Sequence, residues 1–99
     1  EAEQFYLKAL SINPRHHSSN YNMGHIYFEK GNPKTALGYF EKALLANSRS
    51  DATAFNCGVA SERMGDRQKA KFYFQKTLEI NSNYTEAKKK LELISNSKR

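Results

Sequence analysis

Apolar positions along the chain recur in steps of three and four, and each run that carries them is bounded by a capping or turn residue. Ala36, Phe40, Ala43 and Leu44 stand at i, i+4, i+7 and i+8, one stripe of a helix. Asn32 and Pro33 precede them, a capping amide followed by a proline with its ring already set for the first turn. Asp66 holds the corresponding place before the next such run. The segment before Asn32 carries Met23, Ile26 and Tyr27 and ends at Gly31, a residue that closes helices by taking positive φ. No segment alternates in the two-residue rhythm of a half-buried strand. The pattern predicts an all-α chain with helices over roughly 1–12, 17–30, 33–46, 51–64, 67–80 and 85–96. Asn83 and Glu86 have the spacing of a capping box for the last helix.

The runs repeat. Residues 23–32 read MGHIYFEKGN and residues 57–66 read CGVASERMGD, with glycines at the same two places 34 positions apart. Sliding residues 17–50 onto 51–84 gives ten identities in 34 pairs, where ordinary residue frequencies give about two. They include Asn22/Asn56, Gly24/Gly58, Gly31/Gly65, Ala36/Ala70, Phe40/Phe74 and Asn47/Asn81. Ala2, Lys8, Ala9, Leu10 and Asn13 fall in the same register one period earlier. A period of this length made of two helical patterns is the mark of a repeat array.

The pattern resembles the tetratricopeptide repeat, a 34-residue helix–turn–helix unit, over nearly the whole chain. In that family's terms the eighth position is small (Gly24, Gly58) and the twentieth is alanine (Ala2, Ala36, Ala70). The twenty-fourth is aromatic (Tyr6, Phe40, Phe74) and the twenty-seventh is small (Ala9, Ala43, Thr77). Pro14 sits at the thirty-second, where Ser48 and Ser82 depart from the pattern, as do Asn20 and Ala54 in place of the aromatic near the repeat start. The resemblance implies an α-solenoid of antiparallel helix pairs wound as a right-handed superhelix. Residues 1–16 are then the second helix of a truncated repeat, 17–50 and 51–84 are repeats, 85–96 a C-terminal capping helix and 97–99 a frayed tail. Gly24 and Gly58 are expected to admit close approach of the paired helix at Ala36 and Ala70. Phe40 and Phe74 are expected to fill the space between neighbouring units, and Gly31 and Gly65 to make the turns. The first helix is expected to leave an apolar stripe of Ala2, Phe5, Tyr6, Ala9 and Leu10 without its partner. The last helix turns Ala87, Leu91 and Ile94 inward and charge outward.

Composition adds limits. The chain has 99 residues, 38% of them apolar, which suits one small domain or less. No apolar stretch approaches the length of a membrane span. It opens on Glu1-Ala2-Glu3, unlike a signal peptide and without an initiator methionine, as expected of a piece of a longer or processed chain. Cys57, alone and beside Gly58 at an inward position, is expected to serve as a small buried hydrophobe. A lone cysteine is compatible with a reducing compartment, the cytoplasm being the expected one. Asn83-Tyr84-Thr85 is a sequon of the kind that arises often by chance. The net charge is +6, and it is uneven. Residues 1–65 hold seven Lys/Arg against six Asp/Glu, residues 66–99 nine against four. Lys88-Lys89-Lys90 reads as a solvated helix face, and nucleic-acid binding is disfavoured because no RNA-binding fingerprint accompanies it.

The resemblance also implies a site, since the family binds peptides in a groove lined by the first helix of each pair. Carried over position by position, the groove takes Ser18, Tyr21, Asn22, His25, Phe28 and Glu29 from the first repeat. The second gives Ala52, Phe55, Asn56, Val59, Glu62 and Arg63; the last helix gives Glu86, Lys89, Lys90 and Leu93. The spacing puts each set on one helical face. Tyr21, Phe28 and Phe55 are read as aromatics on a face the core does not need, and Asn22 and Asn56 as two rungs of an amide ladder able to hold an extended backbone. A clamp for an acidic C-terminal tail would require Lys, Asn and Arg at Tyr21, His25, Asn56, Glu86 and Lys90, and only Asn56 and, loosely, Lys90 fit. His16, His17 and His25 lack the partners of a metal site. No nucleophile–base pair or phosphate loop occurs, so no catalysis, cofactor or metal is expected. The expected function is a protein-interaction scaffold that binds a peptide or helix of a partner protein. The alternatives are a structural spacer, self-association through helix 1, or the regulatory arm of a larger enzyme.

Overall fold

A computed structural model describes residues 2–96 and contains, among them, six α-helices and no strand. They are α1 (Ala2–Ile12), α2 (His17–Glu29), α3 (Pro33–Ala46), α4 (Asp51–Arg63), α5 (Arg67–Ile80) and α6 (Thr85–Asn96). The expected helices are reproduced to within a residue. Glu1 and the expected frayed tail at 97–99 lie outside the described residues.

Local chemistry sets the boundaries. Asn32 and Asp66 accept from the N–H groups of Thr35 and Lys69 at 3.2 and 3.0 Å, so the two predicted caps are the caps. Ser50 caps α4 in the same way, and His16 caps α2 through Nδ1, which accepts from the Ser19 N–H at 3.2 Å. Gly31 and Gly65 have φ of +80° and +83° and turn the chain between paired helices. Asn13, Asn47 and Asn81 do one job three times: each side chain accepts the N–H two residues on, at 3.0 to 3.2 Å, bending the link between pairs. The expected capping box on α6 does not form. The Ala87 and Lys88 N–H groups both donate to the Tyr84 carbonyl, which places Tyr84 at the N-cap and Asn83 in the preceding turn.

Each helix packs on its neighbours in sequence. α2 lies against α3 and α4 against α5, α3 joins the two pairs to each other, and α1 and α6 flank them. The molecule measures 46 × 26 × 17 Å, elongated as a stack must be. Ala36, Leu37, Phe40, Leu44, Ala54, Cys57, Ala60 and Tyr73 form the main core between pairs, and Ala70, Phe74, Ala87 and Ile94 a second one under α6.

The glycine contact differs from expectation. A Cβ on Gly24 would stand 2.5 Å from the Phe40 ring, and one on Gly58 2.5 Å from the Phe74 ring. The missing Cβ therefore makes room for the ring one turn beyond Ala36 or Ala70. Each aromatic lies across the first helix of its own pair as well as in the core shared with the next. Asn20, where the family pattern has an aromatic, is fully buried and donates from Nδ2 to the carbonyls of Pro14 at 3.1 Å and His16 at 3.3 Å. It fastens the link into α2, so the polar replacement is satisfied.

α1 is the least enclosed helix and contains no buried residue. Tyr6, Ala9 and Leu10 of its stripe are half-buried, while Ala2 and Phe5 face solvent. It is held by Glu3, which accepts from Lys30 Nζ at 3.0 Å and from the Tyr27 hydroxyl at 3.1 Å. Those two hydrogen bonds, Lys30 first, hold the Glu3 carboxyl below the usual glutamate range.

Candidate functional site

The first helices of the pairs, α2 and α4, stand side by side with α6 as the third member of the wall. Polar side chains tie them. Asn56 Nδ2 on α4 donates to the Tyr21 hydroxyl at 3.1 Å and lies 3.3 Å from His25 Nε2, both on α2. For that second contact to be a hydrogen bond, His25 must be neutral with its proton on Nδ1. Lys90 Nζ on α6 meets Glu62 of α4 at 2.7 Å. The Arg63 guanidinium lies 4.9 Å above the Phe28 ring.

A cleft of about 240 Å³ opens on this wall, lined by His25, Phe28, Glu29, Asn56 and Val59. Sequence reasoning placed these five together. It did not place Phe40, which reaches from α3 to form the cleft floor. The signal was present: Phe40 and Phe74 each stand 16 residues after the helix glycine whose face they cover.

Other members of the expected groove are used differently. Tyr21 is half-buried, with its ring centroid 5.9 Å from Phe40 and 4.7 Å from His25. Phe55 is half-buried between Phe74 at 5.4 Å and Tyr84 at 5.0 Å. The reading of Tyr21, Phe28 and Phe55 as aromatics the core does not need is therefore corrected: one side of each packs on the core clusters. The two asparagines are also unlike. Asn56 has both amide hydrogens directed at α2, leaving Oδ1, whereas the half-buried Asn22 makes no side-chain hydrogen bond among the described residues. Glu62 and Lys90 neutralise each other, and Glu29, Arg63 and Lys89 are exposed, with Arg63 and Lys89 outside the cleft.

The histidines have structural duties. His16 is a cap, and the His17 ring lies with Nδ1 2.8 Å from the Ala43 carbonyl, which requires the proton on that nitrogen. Among the described residues no group of three or more His, Cys, Asp or Glu is placed to hold a metal ion. Burial pushes the Cys57 thiol far up from its ordinary range, so it stays protonated and is a poor nucleophile.

Helix pairs stacked at a fixed period, with a glycine under an aromatic at the same place in each, define an α-solenoid repeat protein. Two tetratricopeptide repeat models match residues 5–38 and 53–84, together two thirds of the chain, and the chain belongs to that family. Solved structures agree on the fold. A crystal structure of MamA is 24% identical with a TM-score of 0.89, covering 96% of this chain and 56% of that one. The first TPR of Spaghetti (RPAP3), bound to the HSP90 peptide SRMEEVD, is 22% identical with a TM-score of 0.88, over 96% of this chain and 75% of that one. The Sgt2 TPR domain from Aspergillus fumigatus is 25% identical with a TM-score of 0.83, over 96% and 64%. This chain spans about half the length of MamA. No curated protein matches it.

Proposed function

We propose that the wall of α2, α4 and α6 binds an extended peptide or short helix of a partner protein, making the chain an interaction scaffold without a catalytic step. The cleft over Phe40 carries this reading. It is apolar on its floor, has Glu29 and Asn56 on its rim, and is the size of one inserted side chain or a little more. Asn22 supports it as a half-buried amide with both hydrogen-bonding ends unengaged among the described residues. The peptide bound to the first TPR of RPAP3 gives the precedent within the fold. Tyr21 and Phe55 hold the wall's shape and are poor choices for a test, since their truncation would loosen the core.

A photo-crosslinking residue at the exposed Arg63 position tests the reading in cells that express the protein. It is expected to capture a second polypeptide, and Asn22→Ala combined with Glu29→Arg is expected to remove that capture while Tm shifts by no more than about 2 °C. Capture that persists undiminished in the double variant overturns the proposal. The exposed Phe5 and Ile12 of α1 favour a second reading, self-association through that helix. Sedimentation that stays monomeric at high concentration would rule it out.

A further inference from the structure

The opposite wall, built from the second helices, carries an exposed apolar cleft that the core does not explain. Leu45 of α3 is 77% exposed and Phe72 of α5 is 57% exposed, and the two line one cleft of about 460 Å³. Leu45 also lines an adjoining cleft of about 260 Å³ beside Pro14. Neither shares a residue with the cleft over Phe40.

The charge around these clefts has one sign. Arg15, Lys42 and Lys76 line them, and none is in an ion pair among the described residues, although Lys42 sits 5.5 Å from the Tyr39 ring. The one acid present, Glu41, is taken: it accepts from the Tyr73 hydroxyl at 2.6 Å and meets Lys69 at 3.5 Å. An apolar floor with unneutralised cations at its edge complements carboxylates flanking aliphatic or aromatic side chains.

We propose that the wall of α3 and α5 docks an acidic, apolar-anchored segment of a partner protein, with Leu45 and Phe72 receiving its apolar side chains and Arg15, Lys42 and Lys76 facing its carboxylates. A recess between two helices suits an inserted side chain better than a flat bilayer. A second copy seated on this face would set its own Arg15, Lys42 and Lys76 near the same three cations, which disfavours a second copy as the occupant here.

The test selects a display library of random peptides on this chain, with counter-selection on Leu45→Glu/Phe72→Glu. The surviving pool is expected to be enriched in Asp and Glu together with Leu and Phe. Its best peptide is expected to bind about tenfold or more weakly to the counter-selection variant. Lys42→Ala/Lys76→Ala is expected to weaken binding and flatten its salt dependence, which keeps the proposal testable should the glutamate variant fold poorly. Asn22→Ala/Glu29→Arg is expected to bind the peptide as wild type does, which separates this site from the other wall. An empty, neutral or basic pool overturns the proposal. So does wild-type affinity for both Leu45→Glu/Phe72→Glu and Lys42→Ala/Lys76→Ala, a preference for phosphatidylserine vesicles that depends on Leu45 and Phe72, or dimerisation that Leu45→Glu abolishes.

Discussion

A methyl group at Gly58 would stand 2.5 Å from the Phe74 ring, whereas one at Gly38, midway along α3, would meet nothing within 4 Å. The same substitution therefore has opposite signs at the two sites. Gly58→Ala is expected to lower stability by about 1–3 kcal/mol or more, because the ring is enclosed and cannot swing aside. Gly38→Ala is expected to raise it by about 0.4–1 kcal/mol through helix propensity and a less flexible unfolded chain. Urea midpoints measured side by side check both. Cys57 gives a second residue-level expectation. With no exposed surface and its thiol held protonated by burial, it should resist a disulfide reagent at pH 8 and react promptly once urea is added. Gly58 was legible in the sequence as a site of close approach, but its partner was not. The repeat pattern aligned Gly58 with Ala70 and Phe74 alike, and only the direction of the Phe74 side chain decides which one fills the gap. Asn56 shows the same limit. Its spacing put it on the correct face, yet a side-chain amide pairs with whatever lies nearest, and that depends on how α2 and α4 sit together.

Among the helices, α1 is the one whose attachment depends most on charge. Glu3 joins it to α2 through Lys30 and Tyr27. The folded carboxyl has a lowered pKa, so its contribution is fully present above the ordinary glutamate pKa of about 4.3 and is lost as pH falls through the lower folded value. Lys30 has a raised pKa from the same pair, so its share is present below the ordinary lysine value and is lost only in strong alkali. Acid is therefore expected to loosen α1 before the other helices, and Glu3→Gln to loosen it at neutral pH. Amide exchange of residues 5–12, compared with that of α3, is the measurement; equal protection of the two helices at pH 3 would contradict it. Helix boundaries were readable to within a residue because Asn32, Asp66, Gly31 and Gly65 act locally. The α6 cap was misread because Asn83 answers first to the turn begun by Asn81, leaving the Tyr84 carbonyl to receive the first helical bonds.

At the scale of the whole molecule, packing runs between neighbours in sequence, so stability is a chain of local terms rather than one all-or-none core. Phe74→Ala, which empties the second core, is expected to strip exchange protection from α4, α5 and α6 while α2 and α3 keep much of theirs. A uniform loss across the five helices would instead mark a single cooperative globule. The periodicity made this architecture visible from the sequence, since a repeat that recurs every 34 residues must stack in one direction. The binding surfaces were less legible. Leu45 and Phe72 fall at repeat positions occupied by Glu79 and Gly38 in the other copy, so no period announces them, and only their exposure on the folded chain sets them apart.

The amide that Asn56 extends to Tyr21 and His25 has a geometric outcome larger than its own energy. Apolar surfaces tolerate sliding by a fraction of an ångström, but a donor with two acceptors fixes how far one helix pair is rotated against the next. A rotation at one junction is carried by everything stacked beyond it: a change of roughly 3° between the two pairs would turn α4, α5 and α6 together against α2 and α3. One short side chain at position 56 thus acts as a pitch setting for the spiral, and its replacement would be felt most at the ends farthest from it.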